Sequence, residues 1–319
     1  MLQDRNMETL PLEELKRRVL STEWYHTIDL GRGITTPGHY DHRPYLQSYG
    51  FPKDLTGKTA LDIGAASGFF SFEMERRGAQ VTAADLPMWM GHDFGPAYQP
   101  DKTPEEGRRY LYEPFELARS ALGSRVEKRE INVYDLSPET IGTFDLVFCG
   151  SVLLHLTDPV KALWRIRSVT RGIAIIATAI HQGDYHEQVA LFAGHHRGDV
   201  WWLPNRACLE AMVQSAGFSG WEWVTEFQLD HRDGRPGFWH GVVRAWNTSE
   251  GFAAPTTPIA GNAIARPQSM PSDDLRQRLA EQEAEIARLR ALVAGYERGR
   301  FIRFMRRLRE WHRGVRVSR

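Results

Sequence analysis

Cysteine is scarce in this chain of 319 residues, which contains only Cys149 and Cys208. Two cysteines cannot build the disulfide framework on which small secreted domains depend. Neither belongs to a closely spaced pair of the kind that holds zinc. We therefore expect a reducing, cytoplasmic location and no structural metal.

Long apolar runs are also missing. The first 20 residues, MLQDRNMETLPLEELKRRVL, are charged throughout and contain no apolar stretch typical of a secretory signal. No other run approaches the roughly 20 apolar residues that a membrane-spanning helix needs. The sequence thus predicts a soluble protein that lies, at most, on the inner face of a membrane.

The formal net charge is zero, but the charges are unevenly distributed. Residues 273–319 contain 13 arginines and 7 acidic residues, and the remainder of the chain has the opposite excess. An acidic body with a basic tail indicates separate roles for the two parts. It also argues against a body that holds nucleic acid by charge alone.

From Lys58 onward, short β-branched or apolar runs alternate with helical patterns. The runs are TALDIG, AQVTAAD, RVEKREINV, FDLVFCG and GIAIIATA. This alternation predicts βαβ units and a Rossmann-like, doubly wound, mostly parallel sheet. We expect further strands at 222–227 and 241–246 after a helix at 206–216, and a short amphipathic helix at 11–20.

The stretch LDIGAASGFF follows a predicted strand and opens a helix. Gly64 and Gly68 allow a sharp turn and a close approach of the backbone to a ligand, and the helix start presents free N–H groups. Asp62 can face a ligand ammonium group. Asp85, about 20 residues after the turn, is placed to accept hydrogen bonds from ribose hydroxyls.

A polar turn at Asn132 and Val133 follows the third predicted strand, where it can read an adenine edge. A dinucleotide is the main competing ligand, but Ala66 replaces the middle glycine of the G-x-G-x-x-G fingerprint. That glycine lets the backbone approach a pyrophosphate, which S-adenosylmethionine lacks. The sequence therefore predicts an S-adenosylmethionine site. The predicted cofactor-binding residues are Asp62, Gly64, Ala65, Ala66, Gly68, Asp85, Leu86, Asn132, Val133 and Gly150.

The motifs LDIGAASG, AAD, NVYDL and FDLVFCGSVLLH resemble the successive motifs of the class I methyltransferases. Within that group, WYHTIDLGRGITTPGHYDHR followed by DLTGKTALDIG is similar to the tRNA wobble-uridine methyltransferase family, which makes 5-carboxymethoxyuridine. The resemblance covers about residues 21–246. It implies the Rossmann-like fold, S-adenosylmethionine as cofactor and group transfer as the reaction.

The sequence departs from that tRNA-modifying family at three positions. The family holds the carboxylate of its carboxymethyl donor with a lysine, a tyrosine and an arginine, where this chain has Ser21, Leu154 and His240. A buried carboxylate without charged donors is costly. We therefore predict methyl transfer from ordinary S-adenosylmethionine to a hydroxyl of a glycan, glycolipid or small metabolite. Two alternatives stay open, namely tRNA wobble-uridine modification and a non-catalytic methyltransferase fold acting as a scaffold at a membrane.

An aromatic and glycine-rich segment at 24–51 is predicted to fold over the cofactor as a lid and to contact the acceptor. The predicted substrate residues are Tyr25, His26, Tyr40 and Arg43, and further candidates are Trp24, His39 and Asp41. Packing of Trp24 and pairing of Asp41 with Arg43 are the structural alternatives. His155 is a candidate general base, since a histidine can take a proton near neutral pH, or it orders the turn after the fourth strand. The histidines and acids between 181 and 199 have no metal-binding spacing, so no metal site is predicted.

The C-terminal part has a different pattern. Residues 275–296 repeat apolar positions at heptad spacing, which predicts a coiled coil through which the chain self-associates, or a helix packed on the body. Residues 298–319 contain nine arginines and one glutamate, with aromatic residues at helical spacing. This is typical of a basic amphipathic helix on an anionic membrane surface, with RNA backbone as the second interpretation. The predicted domains are an N-terminal helix and lid (1–57), the methyltransferase domain (58–246), a flexible linker (247–272) and the coiled-coil helix with its basic end (273–319).

Overall fold

The computed structural model describes residues 10–95, 102–183, 187–194 and 200–247. The chain divides into two units, Met1–Ile259 and Ala260–Arg319, and all described residues belong to the first. The predicted linker beyond Asn247, the predicted coiled coil and the basic segment lie outside the described residues.

The strands are β1 (Thr59–Ile63), β2 (Gln80–Asp85), β3 (Glu127–Glu130), β4 (Phe144–Gly150), β5 (Thr170–Ile180), β6 (Ala190–Phe192), β7 (Trp202–Pro204), β8 (Gly220–Gln228) and β9 (Trp239–Trp246). Seven of them form one sheet with the order β3-β2-β1-β4-β5-β9-β8. Strand β9 is antiparallel to both of its neighbours, and the other pairs are parallel. The predicted fold class, a Rossmann-like and mostly parallel sheet, is confirmed.

The helices are α1 (Leu12–Ser21), α2 (Phe69–Arg76), α3 (Pro104–Leu122), α4 (Pro138–Ile141), α5 (Pro159–Val169) and α6 (Arg206–Ser215). Short 3-10 turns occupy Arg43–Tyr49, Trp89–Gly91, Val133–Asp135 and Leu153–His155. Thr103 and Glu106 form a capping box at the start of α3, and the Asn205 side chain accepts the Cys208 N–H at the start of α6. Among the described helices, none has the length and hydropathy that crossing a membrane requires.

The core lies on both faces of the sheet. In β5, Ile173 and Ile175 pack in the cluster on one face, together with residues of α1, α2 and α3. Ala174 and Ile176 pack in the cluster on the other face, with residues of α5 and α6. Because side chains alternate between faces and both faces are covered, the strand is apolar along its whole length. This explains the uninterrupted run GIAIIATA.

The segment between α1 and β1 packs against the body. Trp24 is buried and donates its indole N–H to the carbonyl oxygen of Val19. The Tyr25 N–H donates to Ser67 Oγ, in the turn before α2, and Tyr40 forms a bridge to His231, in the β8–β9 loop. These contacts place the aromatic segment beside the carboxyl end of the sheet.

Strands β6 and β7 form a two-stranded ribbon that the sequence pattern does not reveal, because each strand has only three residues. The ribbon is tied to the body through its tryptophans. Trp201 Nε1–H donates to the carbonyl oxygen of Asp93 at 2.7 Å, and Trp202 Nε1–H donates to that of Thr157 at 3.2 Å. Both tryptophans thus hold the ribbon to the body.

Candidate active site

A cavity of about 220 Å³ opens at the carboxyl ends of β1, β2 and β4. Ile63 of β1 lies beside Ala84 of β2 and Cys149 of β4. The residues that follow these strands therefore share one edge of the sheet, at the point where the strand order reverses. Eight of the ten predicted cofactor-binding residues line the cavity, namely Asp62, Gly64, Ala66, Asp85, Leu86, Asn132, Val133 and Gly150.

The turn after β1 is held by two glycines in left-handed backbone, with φ of +71° at Gly64 and +92° at Gly68. A Cβ atom at Gly64 would lie 2.5 Å from Val152 Cγ2. A Cβ atom at Gly68 would lie 2.5 Å from the ring of Phe72. A side chain at either position would therefore clash with its neighbours, so this tight turn depends on both glycines. Gly68 and Ala65, both predicted to bind cofactor, shape this turn without lining the cavity.

The Asp85 carboxylate sits at the end of β2, next to the glycine turn. Its Oδ2 accepts the N–H of Ala66 at 2.8 Å, and its Oδ1 accepts the N–H of Leu86 at 2.8 Å. Burial raises its pKa, and the nearby Lys128 ammonium acts in the opposite direction. Each carboxylate oxygen can accept a further hydrogen bond, so the group can hold a diol at this edge.

Asp62 is buried at the end of β1, with 1% of its surface exposed. Ser71 Oγ–H donates to its Oδ2 at 2.6 Å. Burial raises the pKa of Asp62 to about 7, and the Asp85 carboxylate contributes in the same direction. A buried carboxyl group of this kind is stabilised in its charged form by a cation placed against it, as the ammonium of an amino acid would be.

The turn after β3 is built by Asn132. Its Oδ1 accepts the N–H of Tyr134 at 3.0 Å, which caps the 3-10 turn Val133–Asp135 and ends the strand earlier than the sequence predicts. The Ile131 N–H donates to the Asp85 carbonyl oxygen at 2.9 Å. The ends of β2 and β3 are thereby joined beside one another.

The N-terminal segment contributes aromatic and imidazole rings to the cavity wall. Tyr25, His26, Tyr40 and His42 lie on this wall. Tyr25 and Tyr40 have ring centroids 5.2 Å apart, and those of His26 and His42 are 5.2 Å apart. Burial lowers the pKa of His26 to about 3 and that of His42 well below its usual value. Both histidines are therefore neutral near pH 7.

Ser151 and His240 form a further polar group on the cavity wall. Ser151 Oγ lies 2.9 Å from His240 Nε2, and His240 Nδ1 lies 3.0 Å from the carbonyl oxygen of Phe238. Burial lowers the pKa of His240 to about 4. Ser151 is not among the residues that the sequence predicts for the site, and His240 was noted only as the residue that stands in place of an arginine. The detectable signal for Ser151 is its position directly after β4.

Of the other residues that the sequence predicted for the acceptor, one lines the cavity and the others do not. His155 lines the cavity. Arg43 does not line it and instead binds Asp41 through two hydrogen bonds of 2.8 and 2.7 Å. His39 and Asp41 also lie outside the wall. Arg43 was predicted to contact the acceptor, but its side chain lies outside the cavity wall. The structure shows the alternative, in which Arg43 pairs with Asp41.

The described residues of the cavity wall carry acidic side chains but no lysine or arginine. The acids are Asp62, Asp85 and Asp93. Among the described residues, no group of three or more histidine, cysteine or acidic side chains is arranged to hold a metal ion. His181 is the described member of the histidine-rich stretch that the sequence suggested, and Asp184, His186, His195, His196 and Asp199 lie outside the described residues.

Comparison with known proteins shows that this chain is similar to methyltransferases and related group-transfer enzymes. A family model described as "Methyltransferase domain" matches residues 41–222. The tRNA U34 carboxymethyltransferases of Enterobacter sp. (strain 638) and Pseudomonas fluorescens (strain Pf0-1) are 27% and 28% identical over 172 and 169 residues. Each match covers 52% of this chain and 46% or 47% of the relative. The chain therefore spans about half the length of these curated relatives.

Solved structures share the fold. The N-terminal domain of EvdMO1 with SAH bound has a TM-score of 0.55 and 19% sequence identity, covering 76% of this chain and 100% of that domain. The same domain in the presence of SAH and D-fucose has a TM-score of 0.54, with the same identity and coverage. At this identity, the likeness is one of fold.

Proposed function

Because the chain belongs to the methyltransferase-domain family and S-adenosylmethionine is its methyl donor, we propose that it methylates a hydroxyl group of an uncharged acceptor. The acceptor is a sugar unit of a glycan or glycolipid, or a small metabolite. When bound, S-adenosylmethionine supplies a methyl group on a positively charged sulfur, so the protein has mainly to align the acceptor and take up a proton.

The residues on the cofactor side fit S-adenosylmethionine. We assign the ribose hydroxyls to the Asp85 carboxylate and the ammonium group to Asp62, whose raised pKa suits a cationic partner. Gly64 and Ala66 bring the backbone of the turn to the ligand, and Gly150 continues the wall at the end of β4. We assign the adenine edge to the turn at Asn132.

The acceptor class is inferred from the absence of lysine and arginine among the described lining residues. A carboxylated cofactor, a phosphorylated acceptor or a nucleic acid would bring negative charge towards three aspartates, and this is unfavourable in a partly desolvated site. The tRNA-modifying family has a tyrosine and an arginine where this chain has Leu154 and His240. Both of these residues line the cavity, and His240 is neutral. Ser21, which stands where that family has a lysine, is exposed at the end of α1.

The second candidate, tRNA wobble-uridine modification, is supported by the names of the relatives that match half of this chain. Its activity would require anion-binding side chains that the described cavity wall lacks. The choice between the two candidates therefore depends on which cofactor binds.

Calorimetric titration of the full chain with S-adenosylmethionine and with its carboxylated analogue tests the proposal. We expect the plain cofactor to bind more tightly, and Asp85→Ala to weaken its binding by about 100-fold or more, since hydrogen bonds to charged groups are worth about 1.5–3 kcal/mol each. Asp233→Ala removes an exposed carboxylate and serves as the matched control. Preference for the carboxylated form would favour tRNA modification, and binding of neither would favour the scaffold.

Methylation assays then identify the acceptor class. Neutral sugars and glycerol are offered together with unmodified tRNA, and D-fucose comes first because it was present in crystals of a protein of similar fold. Transfer to a neutral hydroxyl compound, with none to tRNA, is the expected result. Transfer to tRNA alone would overturn the assignment.

We also propose that residues 275–296 mediate self-association and that residues 298–319 hold the protein on an anionic membrane surface, on its cytoplasmic side. The support is the heptad spacing of the first segment and the nine arginines of the second. Cosedimentation with anionic vesicles should be lost when 298–319 is deleted. Retention of RNA by the full chain but not by the deleted form would favour the RNA interpretation instead.

A further inference from the structure

We propose that Ser151 and His240 form a proton-accepting pair that deprotonates the acceptor hydroxyl during methyl transfer, and this inference rests on the proposed function. His155, the histidine that the sequence suggested for this role, lines the same cavity. The pair is favoured because its hydrogen bonds fix which ring nitrogen carries a proton.

The hydrogen bonds determine the tautomer of His240. Its Nδ1 lies 3.0 Å from the Phe238 carbonyl oxygen, and a carbonyl oxygen can only accept. Nδ1 must therefore carry a hydrogen, which leaves Nε2 of the neutral ring with a lone pair. Ser151 Oγ, 2.9 Å from Nε2, then donates its hydrogen to that nitrogen. The serine oxygen keeps its own lone pairs for a proton from another hydroxyl.

The tertiary structure holds both members in place. Ser151 has left-handed backbone, with φ of +56°, and its N–H donates to the Ala177 carbonyl oxygen at 2.7 Å. His240 lies opposite Ala179 in the β5–β9 pairing and is 4% exposed. Its ring stacks on Phe227, with centroids 5.8 Å apart and an interplanar angle of 17°.

The position of the pair also fits the role. Gly150 of β4 lies beside Ala177 of β5, so Ser151 follows directly on the strand end that borders the glycine turn. Ser151, His240 and the turn residue Gly64 all line one cavity. The pair therefore lines the same cavity as the predicted cofactor-binding turn and the rings of Tyr25 and Tyr40.

The histidine is neutral in its surroundings. Burial lowers the pKa of His240 to about 4, the hydrogen bond to Phe238 opposes the shift, and His155 lowers it further. His42, from the N-terminal segment, also interacts with His240. At neutral pH, Nε2 is therefore available as an acceptor. A weakly basic nitrogen is sufficient, because an alcohol oxygen that is gaining a methyl group becomes strongly acidic.

The step balances in atoms and charge. The acceptor oxygen forms a bond to the methyl carbon, the carbon–sulfur bond breaks and its electron pair returns to sulfur. The acceptor proton moves to Ser151 Oγ as the serine proton moves to His240 Nε2. The imidazolium that results is buried and loses its proton to water once the product leaves.

Nitrogen-15 NMR of the histidine-labelled full chain, bound to S-adenosylhomocysteine, tests the tautomer without any turnover. The His240 signals are identified by their loss in His240→Gln. We expect Nδ1 to be protonated and Nε2 to be bare at pH 7, and Ser151→Ala to shift the Nε2 resonance. A hydrogen found on Nε2 at pH 7 would overturn the proposal whether or not an acceptor has been identified.

Kinetics with D-fucose as the first probe, or with whichever neutral sugar or glycerol the assay shows to be methylated, give the second readout. In His240→Gln, the amide can still accept the Ser151 hydrogen bond but cannot take a proton, so kcat should fall by about 100-fold or more. KM and the affinity for S-adenosylmethionine should change by less than about threefold. The wild-type rate should fall in acid as His240 is protonated, and this limb should be absent in the variant.

His39→Gln is the matched control, because His39 is a half-exposed histidine outside the cavity wall. A His240→Gln variant that keeps its kcat would refute the pair while leaving the methyltransferase assignment intact. Failure of the wild-type protein to methylate any neutral probe would count against the proposed function, and the NMR experiment would still decide the tautomer.

Discussion

The proposed cofactor side of the cavity is built from short stretches at the ends of strands, whereas the proposed acceptor side brings together residues that are far apart in the chain. Asp62 is the penultimate residue of β1, Asp85 ends β2, and Asn132 follows the end of β3 by two residues. On the acceptor side, Ser151 and His240 are 89 residues apart, and Tyr40 contacts His231 across 191 residues.

This difference predicts how the two sides respond to change. The ends of parallel strands meet at one edge of the sheet, so residues placed there come together once the sheet forms. The acceptor side needs in addition the antiparallel return of β9 and the docking of the N-terminal segment. Substitutions on the cofactor side should therefore alter cofactor affinity and stability, and those on the acceptor side should alter turnover.

The largest effects are the loss of cofactor affinity in Asp85→Ala and the loss of kcat in His240→Gln. The next largest is expected at Gly64, where both stability and cofactor affinity should fall. Gly64→Ala places a side chain in left-handed backbone and within 2.5 Å of Val152. We expect the free energy of unfolding to fall by about 2–4 kcal/mol and S-adenosylmethionine affinity to fall with it. Urea denaturation and calorimetry measure the two quantities.

The matched control for Gly64 is Gly57→Ala. Gly57 has the same φ of +71° but nothing within 4 Å of a new Cβ atom. The loss of stability in Gly57→Ala therefore measures the effect of a side chain on the left-handed backbone alone. Adding Val152→Ala to Gly64→Ala should restore part of the stability that the clash with Val152 removes. Equal destabilisation of the two alanine variants, with full cofactor affinity in both, would mean that the turn does not shape the site.

A smaller effect is expected at Asp62, and it depends on pH. The pKa of Asp62 is raised to about 7 in the folded state, so between about pH 4 and pH 7 the folded protein binds a proton that the unfolded chain releases. The free energy of unfolding of the ligand-free protein should therefore decrease as pH rises through this range. Asp62→Asn should remove about 1–3 kcal/mol of that decrease.

Urea denaturation at pH 5 and pH 7.5 measures this difference. Asp85, whose pKa is also raised by burial, contributes in the same direction. Because the two carboxyl groups repel each other, the measured difference belongs to the pair, and Asp85→Asn is compared alongside. Identical pH dependence in the wild type and in Asp62→Asn would show that Asp62 is charged in the ligand-free protein.

The smallest effect is expected at Arg43. Its side chain is 44% exposed and pairs with Asp41 outside the cavity, and such exposed pairs contribute about 0–1 kcal/mol. Arg43→Ala should therefore leave kcat/KM on the identified acceptor within about twofold of the wild type. A large increase in KM would restore Arg43 as an acceptor residue and would show that the N-terminal segment closes further over the site.

Much of the fold could be predicted because its signals are local. The apolar runs at β1, β4 and β5 mark strands buried on both faces, and the glycines at 64 and 68 mark a backbone conformation that other residues adopt at a cost. The ribbon β6–β7 was missed, since three residues are too few to show a period.

The sequence by itself determined the sheet, the glycine turn and the strand-end acids, because side-chain periodicity and the conformational freedom of glycine are properties of short segments. Only the tertiary structure decided that His240 meets Ser151, that Arg43 is turned away to Asp41, and that the cavity wall carries no lysine or arginine among its described residues. These facts depend on strand order and on which side chains burial brings together. The Ser151–His240 contact joins positions 89 residues apart, which no local pattern encodes, whereas the sequence allowed the Arg43–Asp41 pair as one of two alternatives and the structure selected it.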